Sequence, residues 1–205
     1  MLADTWNFLA THPTQFYRAL GVHIALSGSA LFLAALISIP AGIAVARRGG
    51  LALAVVNAAN VGRTLPSLAV LALVMPLLGT GFAPALFALT LIALPPIVTH
   101  TIVGMRGVDA DAVDAAVGMG MTRTLLLRQV ELPMALPVIF AGLRTGAVQV
   151  ISGAVLAAFI GGGGLGDFIT AGIAMMAIPQ LLVGAIPVTL LALGTDFLLA
   201  LCSAA

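Results

Sequence analysis

The apolar residues of this chain fall into long blocks, separated by short clusters of arginine, aspartate, glycine and proline. A helix that crosses a bilayer needs about 20 predominantly apolar residues, because each adds about 1.5 Å of rise. Five blocks reach that length: residues 22–46, 51–76, 82–105, 136–160 and 179–201. The first has no formal charge and stops at Arg47, Arg48, Gly49 and Gly50. The second contains Arg63, the fourth Arg144, and the fifth Asp196 near its end. Residues 161–178 open with the glycines Gly161, Gly162, Gly163 and Gly164, which do not suit a helix interior, and leave only residues 167–178 for a helix. That length predicts a short or re-entrant helix rather than a span, so five spans are expected, with six as the alternative. The fold class is all-α, a polytopic membrane helical bundle.

Composition excludes most other classes. The chain is 61% hydrophobic and only 7% charged, whereas a soluble domain carries about 25% charge. Its mean hydropathy is +1.21. The 23 glycines and 11 prolines fit a membrane bundle, where neighbours re-satisfy the backbone. All eight basic residues are arginines and none form a run, so no nucleic-acid partner is expected. Cys202 is the only cysteine, which excludes an internal disulfide and a cysteine metal cluster. His12, His23 and His100 lie far apart, so no metal site is expected. The first twenty residues, with Asp4, Trp6, His12 and Pro13 and no basic start, do not read as a signal peptide.

Arginine placement sets an orientation, since cytoplasmic loops carry excess Lys and Arg. Arg47 and Arg48 follow the first span, and Arg106, Arg123 and Arg128 separate the third from the fourth. Both loops fall on one side, against Arg18 alone on the other. The expected organisation is an extracytoplasmic segment 1–21, a transmembrane domain 22–201 with a cytoplasmic loop 106–135, and a cytoplasmic tail 202–205. Within that loop, a short helix is expected from about Ala112, with Asp111 as N-cap and Gly120 as its stop. A second, capped by Thr122, should run to about Val130 and break at Leu132-Pro133. Val113, Ala116, Val117 and Gly120 are expected on one side of this knob.

Asp114-Ala115-Ala116, then Gly120, Val130 and Leu132-Pro133, match in spacing the loop Glu-Ala-Ala, three residues, Gly, nine residues, Ile, one residue, Leu-Pro. The chain thereby resembles the permease subunits of binding-protein-dependent ATP-binding-cassette importers. Asp114 replaces Glu and Val130 replaces Ile. The segment Arg63-Thr64-Leu65-Pro66-Ser67-Leu68-Ala69 is similar to the Gln-Thr-Ile-Pro-Ser-Leu-Ala of the osmoprotectant permeases within that class, those for glycine betaine, choline and carnitine. Gly161–Gly166 followed by Asp167, and residues 137–145, are similar to segments of the same permeases. The resemblance implies a type I importer fold, like that of methionine permeases. It implies that Asp114, Ala115, Ala116, Gly120, Met121, Thr122, Arg123, Val130, Leu132 and Pro133 form a coupling loop that docks on a separate ATPase. It implies further partners: a second permease copy or paralogue, and a substrate-binding protein. ATP and Mg would be bound by the ATPase, and no cofactor by this chain.

The residues themselves leave several roles open. The glycine run is not a phosphate loop, which needs Gly-Lys-Ser/Thr, and the chain has no lysine. Gly161, Gly162, Gly163, Gly164 and Gly166 form either a flexible re-entrant turn or a gate and contact for the binding protein. Arg63, inside a span, must face the bundle or water; it either lines the pathway, with Thr64, Pro66 and Ser67, or pairs with Asp196 or a backbone carbonyl. Arg144 reads as structural, snorkelling toward the interface. Gln149 and Ser152 share a helix face and line the pathway or bond between helices. Gly142 and Gly146 have the spacing of a close helix contact. Trp6 and Tyr17, the only Trp and Tyr, lie in the N-terminal segment, so no aromatic cage for a quaternary amine is expected within the spans. A methionine or other small-solute permease is the alternative substrate reading. A secondary transporter would carry internal repeats and several intramembrane carboxylates, whereas this chain shows no repeat and Asp196 as the only carboxylate within a span; a membrane-embedded enzyme lacks a nucleophile motif or metal ligands here.

Overall fold

The structure, a computed structural model, describes the backbone of residues 2–204 and the side chains of residues 3–201. The Cys202 side chain and Ala205 of the expected tail therefore lie outside the described residues. Helix α1 (Leu2–Thr11) is followed by α2 (Pro13–Ala46), α3 (Gly49–Thr64), α4 (Ser67–Leu78) and α5 (Phe82–Arg106). Then come α6 (Ala110–Gly118), α7 (Arg123–Leu126), α8 (Leu132–Gly153), α9 (Gly166–Ala174) and α10 (Ile178–Ala204). Among the described residues, four helical stretches are long and apolar enough to cross a membrane, and α3 with α4, taken together as one bent span, brings the number to five.

The first span begins nine residues before Val22, at Pro13, a position where a missing N–H costs nothing. At 34 residues, α2 is about 51 Å long, well beyond the roughly 30 Å hydrocarbon core. The expected N-terminal segment 1–21 is helical from Leu2 to Thr11 and again from Pro13, and Tyr17 stands exposed on the overhanging end of α2. Helix α1 folds back onto α9 and α10, with Phe8 edge-on to Phe168 at 6.3 Å between centroids.

Helix α5 is the axis of the bundle. A stripe of small residues on α2 (Ala30, Ala34, Ser38, Gly42) lets the two backbones approach closely. An added Cβ at Gly42 would lie 2.7 Å from the Thr101 Cβ, and the Ser38 hydroxyl donates to the Leu94 carbonyl at 3.3 Å. On its other side α5 meets α8 at Gly142 and Gly146, where an added Cβ would lie 2.6 Å from the His100 Cβ and 3.2 Å from Ile97 Cγ1 respectively. In the core between them, Leu26, Leu71, Leu89, Ile97 and Val150 are fully buried.

The second span is not one rod: α3 and α4 meet at 94°. Pro66 holds Leu65 extended, at φ −71° and ψ 126°, and the helix cannot continue through it. Conversely, Leu132-Pro133 does not break the helix before the fourth span. A wide π-type turn at Leu127–Glu131 joins α7 to α8, so residues 123–153 run as one helical stretch. That widening makes room for the Pro133 ring, which would otherwise strike the carbonyl four residues back. At the other end of α8, residues 154–160 leave the α-helix and tighten into a 3₁₀ turn at Leu156–Ile160. Helix α10 continues past Leu201 to Ala204, so residues 202–204 of the expected tail are helical.

Candidate functional site

The α6–α7 knob projects from the end of the bundle where Arg47 pairs with the buried carboxylate of Glu131. Asp109, not Asp111, caps α6: its Oδ1 accepts from the Asp111 amide at 3.0 Å. The helix closes when the Met121 amide donates to the Ala116 carbonyl and the Gly120 amide to that of Val117. Such a closure needs a left-handed residue, and Gly120 supplies it at φ +81°. Thr122 caps α7 as expected, its hydroxyl accepting from the Leu125 amide at 3.4 Å.

The knob is two-sided, though not as its spacing predicted. Val113 and Ala116 turn inward, with Leu126, while Val130 and Leu132 are half-buried. Val117 and Gly120 face outward instead, because Val117 is one position, about 100°, round the helix from Ala116. The outer surface carries Asp114, Ala115, Thr122, Arg123 and Pro133, around the exposed side chains of Val117 and Met119. Met121 lies half-buried at the seam. Val117 and Met119 lie outside the stretches long and apolar enough to cross a membrane. Glu131, missed in the sequence, anchors this loop to the end of α2.

On the side of the bundle, the break between α3 and α4 opens a groove-like cavity of about 340 Å³, with Arg63 and Ser152 exposed along it. Arg63, Ser67, Gln149 and Ser152 all line it, brought together from α3, α4 and α8. Thr64 and Pro66 do not; they build the break, the Thr64 hydroxyl donating to the Val61 carbonyl at 2.7 Å. Asp196 is not the partner of Arg63. It binds Arg144 in a two-pronged ion pair, one arm from Nη2 to Oδ2 at 2.6 Å and the other from Nε to Oδ1. That pair, with His100 and Thr145, lines a second cavity of about 420 Å³ that shares Val148 and Gln149 with the first. Thr145, Gln149 and Ser152 thus form one polar stripe along α8 at helical spacing. The sequence carried that signal in the step from Thr145 to Gln149.

At the opposite end from the knob, Gly161, Gly162, Gly163 and Gly164 line the wall of an open cavity of about 570 Å³ with Arg18, Phe82 and Asp167. Gly161, Gly163 and Gly164 have positive φ, and the Gly81 amide donates to the Ile160 carbonyl at 2.7 Å, tying the turn to the α4–α5 connection. Gly166 is pressed against the Val155 carbonyl. Burial pushes the Asp167 carboxyl above its ordinary value. The run is therefore a built turn, packed against α2 through His23, whose Nε2 bonds the Ile151 carbonyl at 3.1 Å. Among the described residues no group of three or more potential metal ligands comes together.

Comparison with known proteins agrees with this architecture. The chain is 41% identical over 194 residues to the glycine betaine/carnitine/choline transport system permease protein OpuCB of Bacillus subtilis, covering 95% of this chain and 89% of that one. It is 44% identical over 180 residues to the osmoprotectant import permease protein OsmY of Salmonella typhimurium, covering 87% and 76%. Its fold is similar to a chain of the MetNI methionine ABC transporter in an inward-facing conformation, with a TM-score of 0.76 at 22% identity, covering 92% of this chain and 97% of that chain. It is also similar to an amino acid ABC transporter with histidines, with a TM-score of 0.70 at 22% identity and 95% of each chain covered. Residues 38–204 match the family described as the inner membrane component of binding-protein-dependent transport systems, and this chain, a multi-pass protein of the inner membrane, belongs to that family.

Proposed function

We propose that this chain is the permease subunit of an ATP-driven importer of small osmoprotectants, quaternary amines such as glycine betaine, carnitine or choline. The names of its relatives supply the substrate class. The observation that carries the mechanism is the α6–α7 knob: a capped, glycine-closed pair of short helices with Val117 and Met119 exposed outside the spans. Such a surface is matched to a protein cleft. In this reading the knob is cytoplasmic and docks on a separate ATPase, which binds ATP and Mg; this chain is not catalytic. The glycine-run end is then extracytoplasmic and receives the solute-loaded binding protein.

The polar stripe on α8, with Arg63 and Arg144, cannot face lipid without a large penalty. A second permease copy or paralogue covers it, so the solute route runs between two such chains. Movement of the ATPases shifts the knobs, and because residues 123–153 form one continuous helical stretch, displacement at Arg123 reaches Gln149 and Ser152. The test is uptake of labelled glycine betaine, carnitine, choline and methionine by cells without importers of their own for these solutes. This chain is co-expressed with its ATPase and binding protein, or with one of the three left out. Uptake of at least one quaternary amine is expected only when all three are present. Uptake of methionine alone would move the reading to the alternative substrate class.

A further inference from the structure

The cavity at the α3–α4 break is chemically one-sided. Its walls carry the Arg63 guanidinium, the Gln149 amide and the hydroxyls of Ser67 and Ser152, and no acidic or aromatic side chain. Arg144 and Arg47 are each neutralised by a carboxylate, whereas Arg63 makes no ion pair or side-chain hydrogen bond among the described residues. It is the fifteenth residue of α3, about 21 Å along the helix from its start. An arginine at that depth needs water or an anion. The positive end of α4, which begins at Ser67, borders the same space.

We propose that this cavity is the carboxylate subsite of the transport route, resting on the reading of the chain as an osmoprotectant permease. Arg63 receives the solute's carboxylate in a charge-assisted pair. The Gln149 amide and the two hydroxyls donate to its remaining lone pairs. The quaternary ammonium finds neither an aromatic face nor a carboxylate on these walls, so it gains little there. The subsite therefore selects zwitterions bearing a carboxylate, such as glycine betaine and carnitine, over choline, which has a hydroxyl instead.

Glycine betaine and choline share one trimethylammonium group, which makes them a matched pair of probes. Saturation-transfer NMR of that N-methyl resonance on the full chain in dodecyl maltoside measures each without the binding protein's own selectivity. Wild-type protein should bind glycine betaine at least about tenfold more tightly than choline. Arg63→Gln should bring glycine betaine down to the choline level, and Arg63→Lys should keep part of the preference. Elution of each variant at the wild-type volume checks folding. Should Arg63→Gln fail that check, competition on the wild type decides: acetate must displace glycine betaine and tetramethylammonium must not. Equal binding of the two probes, or stronger displacement by tetramethylammonium, overturns the subsite. If cells take up both solutes with no dependence on Arg63, the subsite fails and the permease reading stands; if complete complexes take up neither, both fail.

Discussion

Replacing Gly120 separates the shape of the knob from its surface. The residue sits at φ +81°, and no heavy atom lies within 4 Å of where a Cβ would be added. A side chain there meets strain but no clash within the chain. For an ordinary L-residue the left-handed conformation costs about 1–2 kcal/mol, which lowers the population of this turn about 5–30-fold. Asparagine tolerates that conformation better than alanine. Gly120→Asn should therefore keep most of the knob's shape, Gly120→Ala should lose part of it, and Gly120→Arg should add bulk on the exposed tip as well. Membrane insertion should be normal in all three, because the spans are untouched. The assay is recovery of the ATPase with tagged permease, together with solute-stimulated ATP hydrolysis. The expected order of impairment is Arg, then Ala, then Asn. Full association and full stimulation with Gly120→Arg would refute the docking assignment.

Three further outcomes follow from the geometry. Gly142→Ala places a Cβ 2.6 Å from the His100 Cβ, so overpacking of about 1–3 kcal/mol should outweigh the gain of about 0.5–1 kcal/mol in helix propensity. Gly146→Ala meets only movable side-chain atoms of Ile97 and Leu31, and Gly194→Ala meets nothing within 4 Å; equilibrium unfolding in mixed micelles should rank their stabilities 194, 146, 142 from highest to lowest, and equal stability of the 142 and 194 variants would contradict the packing. In a chain with Cys202 replaced, a membrane-impermeant thiol reagent applied to intact cells should label a cysteine at Gly163 and not one at Gly120; the reverse pattern would invert the orientation. Asp109→Ala removes the cap of α6 and should cost that helix about 1 kcal/mol, read as a partial loss of ATPase recovery that is milder than with Gly120→Arg; an undiminished recovery would show that α6 is held by its partner alone.

The existence and rough place of the apolar stretches were legible because apolar run length is a one-dimensional signal; their ends were not, since α2 begins at Pro13 and α8 stops at Gly153. The knob was legible for a similar reason, since caps and glycine stops act within four residues. Thr122 and Gly120 behave as their chemistry dictates, and the shift from Asp111 to Asp109 moves the cap by half a turn. The prolines were not legible singly. Pro40, Pro95, Pro96 and Pro187 lie inside continuous helices, whereas Pro66 ends one. The difference is tertiary: neighbours and a widened turn can absorb a proline, and sequence does not show them. Ion pairing failed in the same way. Sequence placed Arg63, Arg144 and Asp196 at membrane depth but gave no rotation about each helix, and the packing of α8 on α10 chose Arg144 as the partner. That choice left Arg63 without an ion pair among the described residues, which is why the cavity at the break has a charge to offer.

In the proposed function, solute movement through this chain is driven by a separate ATPase. Proteoliposomes holding this permease, with labelled glycine betaine and its binding protein on the receptor side and ATP on the knob side, test it directly. Accumulation against a gradient is expected only when the ATPase is present and ATP is hydrolysed, with no ATP turnover by the purified chain alone. Accumulation without the ATPase, or ATP hydrolysis by this chain free of it, would rule out that coupling.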